Sequence, residues 1–155
     1  MKNLMHTKIK YISITIGLLG LIPFAFRLIE KYGLVNISEI KTINFTIWYG
    51  ITILSFLCGI YWGLSINAHV KNNSDLSYLL PALSIIPFSF AIGTVIVSSY
   101  LNIIFLVIGF LLCQILDEIL FSYNVYFNWY IRLRRFLTVV VVTLMIYYYI
   151  LFINV

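Results

Sequence analysis

The chain has 155 residues, 63% of them hydrophobic and only 10% charged, with a formal net charge of +5. A soluble domain averages about 25% charged residues, so this chain has too little polar surface to cover a water-soluble globule, and its composition predicts lipid as the surrounding medium. Its basic residues are scattered between apolar runs rather than gathered on one face, which excludes nucleic acid as the partner.

Five apolar runs are predicted to be transmembrane helices. The first covers Tyr11 to Ile29, after the basic MKNLMHTKIK stretch. No small-x-small cleavage site follows it, so it is predicted to be an uncleaved span rather than a secretory signal. Pro23 is expected to kink it late. The second covers Ile43 to Ile66, the third Tyr78 to Val97, the fourth Asn102 to Phe121 and the fifth Phe136 to Val155. Each matches the roughly 20 residues that cross a 30 Å hydrocarbon core. Helices are required because lipid offers the backbone no hydrogen-bond partner. Pro81 is placed in the first turn of the third helix, where a missing N–H costs little, and Pro87 is expected to kink it deeper in. Only Ser98, Ser99 and Tyr100 separate the third span from the fourth, which predicts a tight helical hairpin.

Basic residues set the orientation. One side receives Lys2, Lys8, Lys10, Lys71, Arg132, Arg134 and Arg135, and the other Arg27, Lys31 and Lys41. Seven against three predicts an inside N-terminus and an outside C-terminus. The expected architecture is thus a single all-α integral membrane bundle of five helices over residues 1–155.

In the second span Ser55, Gly59, Gly63 and Asn67 recur every four residues and share one face. Small residues let a second backbone approach, so this row is predicted to pack against another helix of the chain or of a second copy, the first being preferred. Tyr61 and Trp62 lie beside it, and a buried Tyr or Trp needs a partner for its O–H or N–H. With Asp117 they are also candidates for the wall of a midplane pocket. Cys58 and Cys113 have neither CxxC spacing nor a Cys/His cluster and are taken as packing residues.

The fourth span carries Gly109, Cys113 and Asp117 in a second four-residue row, with Gln114 and Glu118 alongside. An ionisable group inside a membrane is costly and faces protein or water. Asp117 is therefore predicted to pair with an arginine of the following connection, Arg134 in particular. The segment SYNVYFNWYIRLRRF puts aromatic residues ahead of three arginines, a composition that suits the headgroup level. Trp129, Tyr130, Arg132, Arg134 and Arg135 are candidates to meet anionic lipid phosphates. His6 and His69 lie in polar flanks without CxxCH, so haem is not expected. No nucleophile–base pair, phosphate loop or HExxH helix is present in the sequence. No cofactor or metal is expected.

The stretches LGLIPFAF (19–26), YGITILSFLCGIYWGLSI (49–66), IGFLLCQILDE (108–118) and WYIRLRRFLTVVVV (129–142) occur in this order. Together they resemble the family of small membrane proteins of unknown function that includes transmembrane protein 69, found in proteobacteria and mitochondria. The resemblance covers most of the chain. Its matching positions are Ser55, Gly59, Trp62, Gly63, Asp117, Trp129, Tyr130, Arg132, Arg134 and Thr138. The family pattern has glycine at the position of Cys58 and histidine at that of Tyr61, and the loss of that histidine argues against a role that needs an imidazole there. The resemblance implies a multi-pass protein of the bacterial or mitochondrial inner membrane and supplies no activity. The expected function is non-enzymatic: an accessory, assembly or lipid-interacting protein, with a membrane protein or a second copy as a further partner. The alternative is a small transporter or ligand-binding bundle with a midplane cavity.

Overall fold

The computed structural model describes residues 2–31, 39–70, 74–97, 101–123 and 125–153. The link at Ser98–Tyr100 and the side chains of Lys2, His6, Arg27, Lys31 and Lys71 lie outside the described residues. Six helices follow in order: α1 (Lys2–Leu19), α2 (Ile22–Lys31), α3 (Glu39–Val70), α4 (Ser74–Ile96), α5 (Leu101–Ser122) and α6 (Asn128–Ile153). The described residues contain no strand. Thr7–Phe26, Lys41–Val70, Ser77–Ile96, Leu101–Ser122 and Asn128–Ile150 are each long and apolar enough to cross a bilayer.

The first segment is two helices. Gly20 and Leu21 form a turn between α1 and α2. Pro23 explains the break, since it lacks the N–H that would bond the carbonyl four residues back. Side chains from two other helices brace the turn. Tyr49 of α3 donates its hydroxyl to the Gly20 carbonyl at 3.1 Å, and Tyr148 of α6 donates to the Phe24 carbonyl. Phe24 then inserts into the bundle, its ring 5.1 Å from Tyr49 and 6.1 Å from Phe110.

Long α3 is the central element. It lies against α2, α4 and α5, and α6 closes on α5, α1 and α2. At 32 residues it spans about 48 Å at 1.5 Å per residue, well beyond a 30 Å hydrocarbon core. Helical geometry therefore continues past the apolar stretch that sequence alone marks out.

Two boundaries are corrected by the same effect. α4 begins at Ser74 with Asp75 in its first turn, where a carboxylate suits the helix dipole. Pro81 thus sits inside the helix rather than in its first turn. α6 begins at Asn128 rather than at Phe136, so Arg132, Arg134 and Arg135 stand on the helix and not in a connection. Hydropathy marks where side chains turn apolar, while the helix continues into its charged turns.

The interior Pro81 leaves the Ser77 carbonyl without its N–H donor. Ser65 of α3 fills that place, its hydroxyl 2.6 Å from the Ser77 oxygen and buried. Replacing Ser65 by Ala is expected to cost about 1–3 kcal/mol, the penalty of an orphaned buried acceptor. In a Pro81→Ala background the restored N–H meets that carbonyl, and the same replacement is expected to be nearly silent. Unfolding of the four variants in detergent tests this, and equal losses in both backgrounds would refute the account.

Candidate functional site

Among the described residues, the glycine row expected to seat a helix of this chain or of a second copy has no helix of this chain on it. Gly59 and Gly63 are exposed, and a Cβ built on either meets nothing within 4 Å. Asn67 is exposed with them and Ser55 is half-buried. The buried stripe of α3 is the adjacent one, through Gly50, Leu54, Cys58, Tyr61 and Ser65. The close approach is made instead by Gly109 of α5, where a Cβ would stand 2.4 Å from Leu54 Cδ2. The small-residue row that packs is therefore Gly109–Cys113–Asp117, facing α3.

That row leads to a buried acid–base cluster. Cys113 is fully buried, and its small side chain leaves room for the Tyr61 ring. The Tyr61 hydroxyl stands 2.9 Å from the Cys113 carbonyl and 3.1 Å from Asp117 Oδ1. On the other side of the carboxylate, Arg134 Nε and Nη2 each lie 2.7 Å from Asp117 Oδ2. The two side chains are 9% and 3% exposed. Asp117 is five residues from the end of α5 and Arg134 six from the start of α6, so the pair sits about 8–9 Å in from those helix ends. A buried carboxylate requires both a counter-charge and filled lone pairs. One helix supplies the cation and a third supplies the phenol. Tyr126, in the α5–α6 link, lies beside the same cluster. Burial and then the Asp117 charge push its phenol well above the ordinary tyrosine range.

A second pair runs beside the first. Arg135 Nε and Nη2 lie 2.7 and 2.6 Å from the two oxygens of Glu118, and Gln114 Nε2 donates to Oε1 at 2.7 Å. This fork-to-fork pair is partly exposed. Adjacent acids on α5 thus meet adjacent arginines on α6. Carboxylates of the chain engage both guanidiniums, so Arg134 and Arg135, candidates for lipid phosphates, are held first by Asp117 and Glu118. Arg132 is exposed, with Nε 3.3 Å from the Asn128 carbonyl. Tyr130 and Trp129 are half-buried and packed edge to face at 5.8 Å.

The pocket of Tyr61, Trp62 and Asp117 is not assembled. Tyr61 is buried on Asp117, whereas Trp62 turns outward and donates Nε1 to Ser84 of α4 at 3.0 Å. Successive residues on a helix point about 100° apart, so the two rings cannot share a wall. A cavity of about 370 Å³ lies elsewhere, between α1, α2, α3 and α6, with Phe110 of α5 in its wall. Ile16, Phe24, Phe56, Phe110, Arg134 and Thr138 are among its lining residues. Ile16 and Phe56 are 64% and 67% exposed, so its mouth opens on the apolar outer surface of the bundle. Sequence reasoning missed this space. Its one signal is the Ser13–Gly17–Gly20 row of small residues on α1.

Removing one member of the Asp117–Arg134 pair is expected to cost about 3–5 kcal/mol, because an uncompensated buried charge remains. Asp117→Asn combined with Arg134→Gln is expected to cost clearly less than the two single losses added. Unfolding of the four proteins in detergent measures this, and strict additivity would show that the groups are uncoupled. Breaking Glu118–Arg135 in the same way is expected to have the smaller effect, since this pair is partly exposed and more easily screened.

No curated protein and no solved structure matches the chain. A family model does match, over residues 9–150, and its description is "Protein of unknown function (DUF3429)". That span includes the acid–base cluster and every helix lining the cavity. The chain belongs to the DUF3429 family of proteins of unknown function.

Proposed function

We propose that this protein is a non-enzymatic, multi-pass membrane protein that holds a lipid in its lateral groove and serves as an accessory or assembly factor. The observation that carries this reading is the position of the groove mouth among exposed apolar side chains. A ligand reaching such a mouth arrives through hydrocarbon rather than through water. The groove volume of about 370 Å³ also falls within the range of about 300–1,000 Å³ typical of ligand sites. The two acids of α5 are committed to structure: Asp117 holds Tyr61 and Arg134, and Glu118 holds Arg135 and Gln114. This engagement supports a binding rather than a catalytic role.

The count of basic residues on each side supports an inside N-terminus. The likeness to the family that includes transmembrane protein 69 supports a bacterial or mitochondrial inner membrane.

Mass spectrometry of the intact protein released from native membranes tests the reading. One retained lipid per chain is expected for the wild type. Filling the groove with Val141→Phe together with Ile60→Phe is expected to remove it while the chain stays folded. Equal retention in both proteins would sink the lipid-holding groove.

A further inference from the structure

The groove is polar at one end only. On α6, Tyr130, Arg134 and Thr138 recur every four residues, share one face and all line it. Across from them α1 contributes Ser13 and Gly17. Lys10 lies one turn before Ser13 on that same face of α1 and is half-buried. Toward the other end the wall is hydrocarbon, from Leu21, Phe24, Ile53, Phe110 and Val141.

The charges at the polar end do not cancel. Asp117 neutralises Arg134, and Glu118 neutralises Arg135. Among the described residues no carboxylate pairs with Lys10. Lys10 therefore brings a positive charge one turn beyond Ser13, at the end of the groove that also presents hydroxyl and guanidinium N–H donors. These groups call for a ligand head rich in acceptors and negatively charged. The apolar end calls for hydrocarbon, and about 370 Å³ admits one chain rather than a whole two-chain lipid.

We propose that the groove is a site for an anionic glycerophospholipid, with one acyl chain in the apolar end and the phosphate held by Lys10. Ser13, Tyr130 and Arg134 donate to the phosphate and ester oxygens, and the second chain lies outside against Ile16 and Phe56. The proposal rests on the lipid-holding groove described above and adds its headgroup selectivity. Arg134 positions the α6 wall through Asp117 and also faces the head, so it is left intact in the test.

The probe is a bilayer of phosphatidylcholine and phosphatidylglycerol at nine to one, with the protein reconstituted and then released with its retained lipid for mass spectrometry. The wild type is expected to retain one lipid, enriched in phosphatidylglycerol well above the bulk ratio. Lys10→Gln is expected to lower that enrichment about 5-fold, the effect of one basic residue near an anionic surface, while one lipid is still retained. Lys10→Arg is expected to restore it. Retention at the bulk ratio, or equal enrichment in Lys10→Gln, overturns the headgroup site and leaves the lipid-holding groove standing. Retention of no lipid by the wild type, or a lipid-free dimer seated on the groove, overturns both.

Discussion

A carboxylate enclosed by three helices governs how this bundle closes. Asp117 stands on α5, takes its counter-charge from α6 through Arg134 and a hydrogen bond from α3 through Tyr61. Remove any one of the three and a buried polar atom is left without a partner, so the contact couples the placement of all three helices. Apolar packing alone is permissive about rotation, because one hydrocarbon face fits another with little preference. The ion pair and the phenol specify a single rotation for each helix. Gly109 permits the approach, since any side chain there would collide with Leu54.

The same rule operates along the backbone. Where proline or a turn removes an internal hydrogen bond, a side chain from a neighbouring helix takes over, as Ser65 does at Ser77 and Tyr49 at Gly20, and Tyr148 adds a bond to the Phe24 carbonyl just beyond the turn. In an apolar medium an unmet carbonyl has no water to turn to. The helix irregularities are thus also points of attachment. They tie α3 to α4, and both α3 and α6 to the α1–α2 turn that borders the groove.

Much of this was legible in the residues. The order and rough extent of five apolar segments followed from run length alone. Asp117 and Arg134 were legible as a pair because a carboxylate inside an apolar run needs a cation, and few cations follow it. Glu118–Arg135 is not legible from hydropathy, which begins the last helix at Phe136 and leaves the arginines in a connection. Once α6 begins at Asn128 the two acids and two arginines stand in register. The glycine row was legible as small residues on one face, but four-residue spacing does not say what that face meets. Tyr61 and Trp62 are neighbours in sequence and point to different helices, which no count of polar residues reveals. The groove was illegible for a similar reason: it exists only where a broken α1–α2 segment, α3 and α6 fail to fill the space between them.

The paired charges also constrain how the chain is made. Synthesis delivers α5 before α6, so Asp117 and Glu118 emerge from the ribosome while their arginines are still unmade. An isolated acid at the centre of a membrane helix costs about 2.5–3.5 kcal/mol on insertion, with less for one nearer the edge. In a bilayer, the two helices and their short link of residues 123–127 would therefore gain by entering together, with opposite charges already neutralised. The α5–α6 hairpin is thus the smallest unit of the fold in which each of these acids has its arginine.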